Sequence, residues 1–414
     1  MNKQGILFLT SWSSDEPLML SYVVPYLQMI RAVRPDERMC IVTWEKQSGG
    51  HSGNREQLNT ALLALNIAKI ETPFIRFGVR AVFVHAHSVW KLAAIMRKHG
   101  IGTLHPFAPA AGAMALLLRK LCPARIVMDS WEPHADAMVE TGAWRKESLG
   151  FRVLSSLERR IAKSADVLLA TSLQMPEYAR RKWGDVPGRI LHRPACVNLD
   201  AFNPQRWNRT ELRAAKGIAE DAVVGICVSK LGDLYLDQEL FDFFALTERA
   251  LGDRLRIILL TSTPHEKIDE WARKAGLSPD VLTVQMVAHE DVPEWLAMAD
   301  FAVNPQRPVP AKRYGTPVKD GEYWAMGLPL VILPEISDDS EVVEKEKAGI
   351  ILRSCTPEHM MQAVDELRHF LQRYPPPVPH IRAVAEKYRS MEIARRVYAE
   401  VYATSPDPRG SGNA

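Results

Sequence analysis

The stretch Tyr314-Gly-Thr-Pro-Val-Lys-Asp-Gly-Glu-Tyr-Trp-Ala-Met-Gly-Leu-Pro-Leu-Val-Ile332 predicts one helix followed by one buried strand. Thr316 is a good N-cap residue, and Pro317 suits the first position of a helix. Gly327 suits the position just after a helix, and the apolar run behind it is typical of a strand. We therefore expect a helix over 317–326 that feeds directly into a sheet.

Short apolar runs recur on both sides of this stretch, separated by segments with helical periodicity. In the first half, strands are predicted at 6–9, 39–43, 68–70, 101–104, 126–128, 167–170 and 190–191. In the second half, they are predicted at 223–228, 256–260, 282–286, 301–303, 330–333 and 350–352. This alternation predicts an α/β protein with two Rossmann-like domains, each a parallel sheet covered by helices.

Irregular, polar sequence between the two sets of strands marks the domain boundary. We place a first domain at 1–195 and a second at 196–380. A proline-rich break precedes a last predicted helix, about 381–403, which we expect to pack back on the first domain. The tail 404–414 is rich in Gly, Ser and Pro and predicts disorder.

Composition is that of an ordinary globular protein. The chain has 414 residues, 47% of them apolar and 24% charged, which is too long for a single core. Its 52 basic and 49 acidic residues leave a net charge of only +3, which argues against a nucleic-acid partner.

The cysteines and the apolar runs indicate a cytoplasmic location. Five cysteines without a C-x-x-C pair indicate neither a disulfide framework nor a zinc knuckle, so we expect reduced thiols. The short run 6–9 is too brief for a secretory signal, and the apolar stretch 107–118 is too short to span a bilayer.

Two charged residues on the 317–326 helix indicate which ligand it suits. Lys319 and Glu322 are three residues apart and share one face. A helix N-terminus attracts anions, so this face offers a phosphate site beside a carboxylate that accepts ribose hydroxyls. On spacing alone, a capped surface helix with an ion pair remains the alternative.

The stretch also carries a family signature. It matches the pattern Pro-x-Lys-x-x-Glu-Tyr-x-Ala-x-Gly-x-Pro at Pro317, Lys319, Glu322, Tyr323, Ala325, Gly327 and Pro329. In this it resembles the donor site of retaining GT-B glycosyltransferases of family 4. The resemblance implies two Rossmann-like domains facing across a cleft. It also implies transfer of a sugar, with retention, from a nucleoside-diphosphate sugar such as a UDP- or GDP-sugar to a hydroxyl acceptor.

The resemblance also implies roles for residues of the donor site. Glu322 would bind the ribose, and the backbone of Thr316, Pro317 and Val318 would bind the diphosphate. Many members have a second glutamate eight positions before Glu322, which contacts the sugar. Tyr314 stands there in this chain, so the sugar cannot be inferred.

Upstream segments extend the similarity. Ser229 and Lys230 follow a predicted strand, where Lys230, together with Lys319, would stabilise the charge of the leaving diphosphate. Ala288 would meet the nucleobase through its backbone, with Val292 packed nearby. A solvated lysine after a strand is the alternative for Lys230.

Candidate residues of the first domain follow predicted strand ends, where ligands of parallel sheets bind. Asp129, Glu132 and His134 are expected to face the cleft, with His134 in proton transfer or hydroxyl positioning. Ser11 and Trp12 are the candidates for acceptor contacts, although the glycine-rich loop common in the family is missing there. For His134, a loop histidine without a catalytic role is the alternative.

Several other functions are disfavoured. The chain has neither G-x-G-x-x-G after its first strand nor a P-loop motif, which argues against dehydrogenases and P-loop nucleotidases. No Asp-x-Asp motif stands at a strand end, and the pair His85 and His87 is too small for a zinc site. We therefore expect no metal and no cofactor, with the nucleotide sugar as a substrate.

The acceptor is expected to be a carbohydrate, a lipid-linked molecule or another small hydroxyl compound, in bacterial polysaccharide or glycoconjugate assembly. Basic residues at 159–163 and 180–182 are compatible with peripheral contact to an anionic membrane, or with a merely solvated helix surface. Two other functions remain open: a nucleotide-sugar epimerase of the same architecture, and a catalytically silent donor-binding subunit.

Overall fold

Two parallel sheets organise the chain. A computed structural model describes residues 5–45, 53–74 and 79–403. The first sheet has the order β3-β2-β1-β4-β5-β6-β7. Its strands are β1 Gly5–Leu9, β2 Met39–Glu45, β3 Ile67–Pro73, β4 Ile101–Pro106, β5 Arg125–Trp131, β6 Val167–Ala170 and β7 Arg189–His192.

The second sheet has six strands in the order β10-β9-β8-β11-β12-β13. They are β8 Val223–Val228, β9 Leu255–Leu260, β10 Leu282–Gln285, β11 Phe301–Val303, β12 Leu330–Ile332 and β13 Gly349–Ile351. All strand pairs in both sheets are parallel. The predicted pair of Rossmann-like domains is confirmed.

Helices cover both faces of the first sheet. One face packs on α3 Val79–His99, α4 Ala108–Leu121, α6 Leu149–Ser164 and α7 Met175–Trp183. The other face packs on α1 Val24–Val33, α2 Gly53–Ala64 and the last helix, α16 Met391–Ala403. The short helix α5 His134–Glu140 follows β5 at the edge that faces the second domain.

The second sheet is buried in one large apolar core. Its helices are α8 Arg209–Ala215, α9 Gln238–Leu251, α10 His265–Ala275, α11 Val292–Ala297, α12 Val318–Ala325, α13 Asp339–Glu346, α14 Pro357–Arg373 and α15 Pro379–Arg389. The five cysteines are free thiols, and four of them are buried. Within the described ranges, no helix is long and apolar enough to cross a membrane.

The end of the chain differs from its prediction. We expected one helix over 381–403, but α15 and α16 are separated at Ser390, whose backbone is extended. Ser390 pairs with Val197 in a parallel bridge, and the Val197 N–H donates to the Arg389 carbonyl at 2.7 Å. The two segments that connect the domains therefore lie side by side. The predicted tail 404–414 lies outside the described residues.

Candidate active site

Helix α12 begins one residue later than predicted, and Thr316 does not cap it. The N-cap position is held by Pro317, and no side chain accepts a hydrogen bond from the first turn. The Thr316 hydroxyl instead donates to the Thr171 carbonyl in the first domain. This prediction was wrong because a carbonyl across the domain boundary competes for the hydroxyl.

The consequence is that the start of α12 has no side-chain cap from the described residues. Proline has no N–H, and the first-turn N–H groups from Val318 onward have no side-chain acceptor in the described part of the chain. Such groups carry a partial positive charge and bind anions. Thr316, Pro317 and Val318 thus form a loop suited to a phosphate.

Glu322 lies one turn into α12 and is almost completely buried, with 2% of its surface exposed. Lys319 Nζ is 2.9 Å from Glu322 Oε2, and His289 Nε2 is 2.9 Å from Oε1. Burial would raise the pKa of Glu322, but Lys319 and His289 outweigh it, so the pKa lies below its usual value. The side chain is a buried, ionised carboxylate held by two cationic or hydrogen-bonding partners.

His289 was not among the predicted site residues. It lies in a short 3₁₀ turn, His289–Asp291, which follows β10 and opens α11. Its ring centroid is 5.8 Å from that of Phe202. The sequence gives one indication of this role, because His289 directly follows Ala288, a predicted nucleobase residue. Nothing in the sequence links His289 to Glu322, which lies 33 residues later.

The two predicted nucleobase residues are placed differently from one another. Ala288 is exposed at the start of the 3₁₀ turn, beside His289. Val292 is 3% exposed and belongs to the core of the second domain. A planar group in this region would therefore meet Ala288 and His289, with Val292 supporting the turn from below.

Ser229 and Lys230 follow β8 at the same edge of the sheet. The Ser229 hydroxyl donates to the Lys230 carbonyl at 2.8 Å. The Lys230 side chain is 60% exposed and is 3.1 Å from Asp233. Tyr323 fixes α12 against this strand, because its hydroxyl accepts the Val228 N–H at 2.9 Å.

Asp129 does not face the cleft, contrary to expectation. Strand β5 continues to Trp131, so Asp129 is an interior position of the strand on the same face as Val127. Its carboxylate and the Arg193 side chain are both fully buried. The carboxylate accepts hydrogen bonds from Arg193 Nε at 3.1 Å and from Tyr398 Oη at 2.6 Å. Despite its burial, these partners hold the pKa of Asp129 far below the usual value. Asp129 anchors α16 to the first sheet.

Glu132 does reach the second domain. A Cβ atom at Gly315 would lie only 2.6 Å from Glu132 Oε2, so the carboxylate lies against the loop that leads into α12. His134 opens α5 with an exposed side chain, and its N–H donates to the Glu132 carbonyl at 3.0 Å. The structure thus brings Glu132 to the donor loop and leaves His134 on the adjacent surface.

Tyr314, which stands at the position of the sugar-contacting glutamate and was a candidate of the sugar region, packs against the first domain in this structure. It is 9% exposed and packs with residues of the first domain. Its ring centroid is 4.5 Å from that of Tyr178, and its hydroxyl accepts from Arg181 at 3.1 Å. An aromatic side chain gains more from this apolar contact between the domains than from a polar site.

The remaining sequence candidates lie near the first sheet. Ser11 and Trp12 are half-buried after β1, and the Trp12 carbonyl accepts the Trp44 N–H at 2.9 Å. His87 is exposed on α3, while the side chain of His85 lies outside the described part. Over residues 5–45, 53–74 and 79–403, no group of three or more His, Cys, Asp or Glu side chains is arranged to hold a metal ion.

Sequence comparisons relate the second domain to known glycosyltransferases. Residues 228–369, which include Lys230, Ala288, Lys319 and Glu322, match the family described as glycosyl transferases group 1. Over 177 residues, the chain is 29% identical to the D-inositol 3-phosphate glycosyltransferase of Geodermatophilus obscurus. That match covers 39% of this chain and 39% of the relative, so the chain spans about two fifths of the relative's length.

Solved structures are similar over nearly the whole chain. Sucrose-phosphate synthase from Thermosynechococcus elongatus has a TM-score of 0.72 at 16% identity, covering 96% of this chain and 98% of that one. Anabaena HepE in complex with UDP-glucose has a TM-score of 0.69 at 15% identity, covering 96% and 99%. WaaG, a glycosyltransferase involved in lipopolysaccharide biosynthesis, has a TM-score of 0.69 at 13% identity, covering 96% and 100%. The chain therefore has the GT-B fold, and its second domain matches the glycosyl transferases group 1 family over residues 228–369.

Proposed function

We propose that the protein is a glycosyltransferase that moves a sugar from a nucleoside-diphosphate sugar to a hydroxyl acceptor, with retention at the anomeric carbon. The observation that carries the proposal is Glu322, a buried and ionised carboxylate beside the uncapped start of α12. A carboxylate next to an anion-binding helix end suits a ribose linked to a diphosphate. The match of residues 228–369 to glycosyl transferases supports the same function.

The donor is a UDP- or GDP-sugar in this proposal. HepE has been solved with UDP-glucose, and its fold covers 96% of this chain, which supports a donor of this class. The charge of the diphosphate is neutralised by protein cations and helix N–H groups, without a metal. Transfer that continues unchanged in excess EDTA is the expected result, and loss of activity restored by Mg²⁺ would contradict this part of the proposal.

The acceptor is a carbohydrate or a lipid-linked hydroxyl compound, in bacterial polysaccharide or glycoconjugate assembly. The similarity to WaaG supports this pathway by analogy of fold. Half-buried Ser11 and Trp12 at the end of β1 are the proposed acceptor contacts, with exposed His134 beside the cleft as a catalytic group.

Binding of the donor tests the role of Glu322. In Glu322→Gln, the amide cannot accept from both Lys319 and His289, so we expect UDP or GDP to bind about tenfold more weakly or worse. Calorimetric titration of both nucleotides measures the change, and exposed Glu358→Gln on α14 is the matched control. Equal affinities for parent and Glu322→Gln would refute the ribose assignment.

A donor-binding subunit without catalytic activity is the second candidate. It is favoured by Tyr314, which occupies the position of a sugar-binding glutamate and packs into the first domain instead. Incubation with UDP-sugars, with and without a panel of acceptors, separates the possibilities. Transfer supports the glycosyltransferase, a new sugar without acceptor indicates an epimerase, and tight binding with no turnover indicates the subunit.

Three helices of the first domain form a face that suits an anionic membrane. Helices α3, α4 and α6 pack on the same side of the sheet, and their only acidic residue is the buried Glu158. Exposed arginines and lysines lie beside exposed apolar side chains, with Trp90 62% and Leu149 75% exposed. We propose that this face makes peripheral contact with the inner surface of the cytoplasmic membrane, where lipid-linked acceptors reside.

Vesicle flotation tests the membrane contact. Binding to vesicles with anionic lipid, but not to neutral vesicles, is expected, because each basic residue near such a surface contributes about 1 kcal/mol. Replacing Arg159 and Lys163 by glutamate should abolish it, while the same replacement of exposed Lys267 and Lys274 on α10 should not. Binding that ignores anionic lipid would contradict the electrostatic contact.

A further inference from the structure

The two lysines expected to face the diphosphate are already paired. Lys319 Nζ is 2.9 Å from Glu322, and Lys230 Nζ is 3.1 Å from Asp233. The Lys230 side chain is also 60% exposed, so its charge is largely screened by water. The site as predicted therefore has little unpaired positive charge for a leaving diphosphate.

Lys312, unlike these two lysines, has no ion-pair partner among the residues that the structure describes. It lies in the 3₁₀ turn Pro310–Tyr314, six residues before α12 begins, and is half-buried. Its amine makes no hydrogen bond and no ion pair with the residues that the structure describes. Burial lowers the pKa of Lys312, which the carboxylate of Glu132 partly counteracts.

The backbone around Lys312 is fixed from two sides. Its carbonyl accepts the Ser337 N–H at 3.0 Å, from the loop between β12 and α13. The preceding Ala311 N–H donates to Glu140 of α5 at 2.6 Å, across the domain boundary. Because these two backbone groups are held, the Lys312 side chain starts from a defined position near the domain boundary.

Glu132 connects Lys312 to the donor loop. The same carboxylate that lies against Gly315 is close enough to Lys312 to oppose the fall in the pKa of its amine. Lys312 and the loop into α12 therefore lie on either side of one carboxylate from the first domain. Lys312 is three residues before Gly315, so its charge lies close to the loop where an anion would bind α12.

We propose that Lys312 binds the donor diphosphate and stabilises it as the leaving group, an inference that rests on the proposed glycosyltransferase function. In the reaction, the bond from the anomeric carbon to the β-phosphate oxygen breaks, and both electrons stay on that oxygen. The acceptor oxygen forms the new bond to the anomeric carbon, and its proton passes to the departing diphosphate. Lys312 holds the growing negative charge on that oxygen.

Titration calorimetry with UDP, GDP, UMP and GMP tests this role. Lys312→Met keeps most of the side-chain volume and removes the charge. We expect it to weaken the better diphosphate about tenfold or more and the corresponding monophosphate about twofold or less, since charge-assisted contacts are the strong ones. Lys312→Arg should retain most of the diphosphate affinity.

Arg313→Met is the matched control, because Arg313 is the next residue in the same turn and pairs with Glu335 and Glu341 of its own domain. Arg313→Met should leave the affinities for the nucleoside diphosphate and for the monophosphate unchanged. Glu132→Gln supplies an independent measurement: loss of a carboxylate beside the anion should strengthen diphosphate binding.

Equal diphosphate affinity in parent and Lys312→Met, or equal weakening of mono- and diphosphate, would overturn the role of Lys312 while leaving the proposed function intact. If Lys312→Met does not fold, unchanged affinity in Glu132→Gln overturns it instead. A parent protein that binds no nucleoside diphosphate overturns the proposed function and this inference together.

Discussion

At the scale of single residues, Glu158 of α6 shows how burial changes an acid. It is 1% exposed; Oε1 accepts the Ala135 N–H at 2.7 Å, and Oε2 has no partner within the described ranges. Burial raises the pKa of Glu158 to about 7, opposed by Ala135 and by Lys182, with Asp136 and Glu132 adding to the rise. The side chain therefore titrates near neutrality while it holds the helix that carries His134.

The pH dependence of stability follows from this shift. An unfolded glutamate has a pKa near 4.5, so between about pH 4.5 and 7 the folded protein binds the extra proton and loses stability as pH rises. Glu158→Gln removes this loss. As pH rises from 5 to 8, we expect the free energy of unfolding of the variant to increase relative to that of the parent by roughly 2.5 kcal/mol. Urea unfolding at several pH values measures the gain, and parallel profiles for the two proteins would contradict the pKa assignment.

At the scale of elements, the end of α12 depends on Gly327. Its φ is +71°, and the N–H groups of Gly327 and Leu328 donate to the Trp324 and Tyr323 carbonyls, which closes the helix in a Schellman motif. A Cβ atom there would lie 2.8 Å from the Val378 nitrogen. The turn that ends α12 is thus packed against the segment leading into α15.

Gly327→Ala should therefore cost more than backbone strain alone. A left-handed alanine costs about 1 kcal/mol, and the backbone contact with Val378 should raise the loss to about 2–3 kcal/mol. Gly276→Ala, with a φ of +72° and open space around its Cβ, is the control for strain alone. Urea unfolding of both variants gives the difference. Equal losses would mean that the Val378 contact relaxes without cost.

The elements of both domains could be predicted from apolar periodicity, because strands buried on both faces and amphipathic helices leave local patterns. Strand β8 is predicted at 223–228 and observed there. Side-chain contacts between residues that are distant in sequence leave no such local pattern. Thr316 bonds to Thr171, Tyr314 packs on Tyr178, and Asp129 pairs with Arg193.

The candidate site likewise contains residues that local spacing predicts and residues that only the tertiary fold brings together. Lys319 and Glu322 are three residues apart on one helix, so their pairing follows from helix geometry. His289 and Lys312 could not be found from sequence spacing, since their positions relative to α12 depend on the tertiary fold. The turn Pro310–Tyr314 has no periodicity, and contacts with α5 and with the loop after β12 fix its shape.

At the scale of the whole molecule, α13 takes part in two of the contacts that join the domains. The connecting segments pair at Val197 and Ser390, where buried Arg389 donates to the Ala195 carbonyl at 2.9 Å and pairs with Asp339. The neighbouring Asp338, at the start of α13, accepts from the Leu173 N–H at 2.8 Å and from Ser172 Oγ at 3.1 Å. The first contact joins the two connecting segments to α13, and the second joins α13 to the first domain.

Removing Asp338 should therefore open the molecule without unfolding it. Hydrogen bonds to a charged group contribute about 1.5–3 kcal/mol, and the 17% exposure of Asp338 favours the lower value, so Asp338→Ala should shift the closed population about tenfold toward an open form. Small-angle scattering should then give a larger radius of gyration, and the KM for the donor should rise because fewer molecules are closed at any moment. Glu341→Ala, on the same helix but paired within its own domain, should change neither quantity. If Asp338→Ala scatters like the parent, the other contacts between the domains, such as Ala311 with Glu140 and Tyr314 with Tyr178, are sufficient to keep the molecule closed.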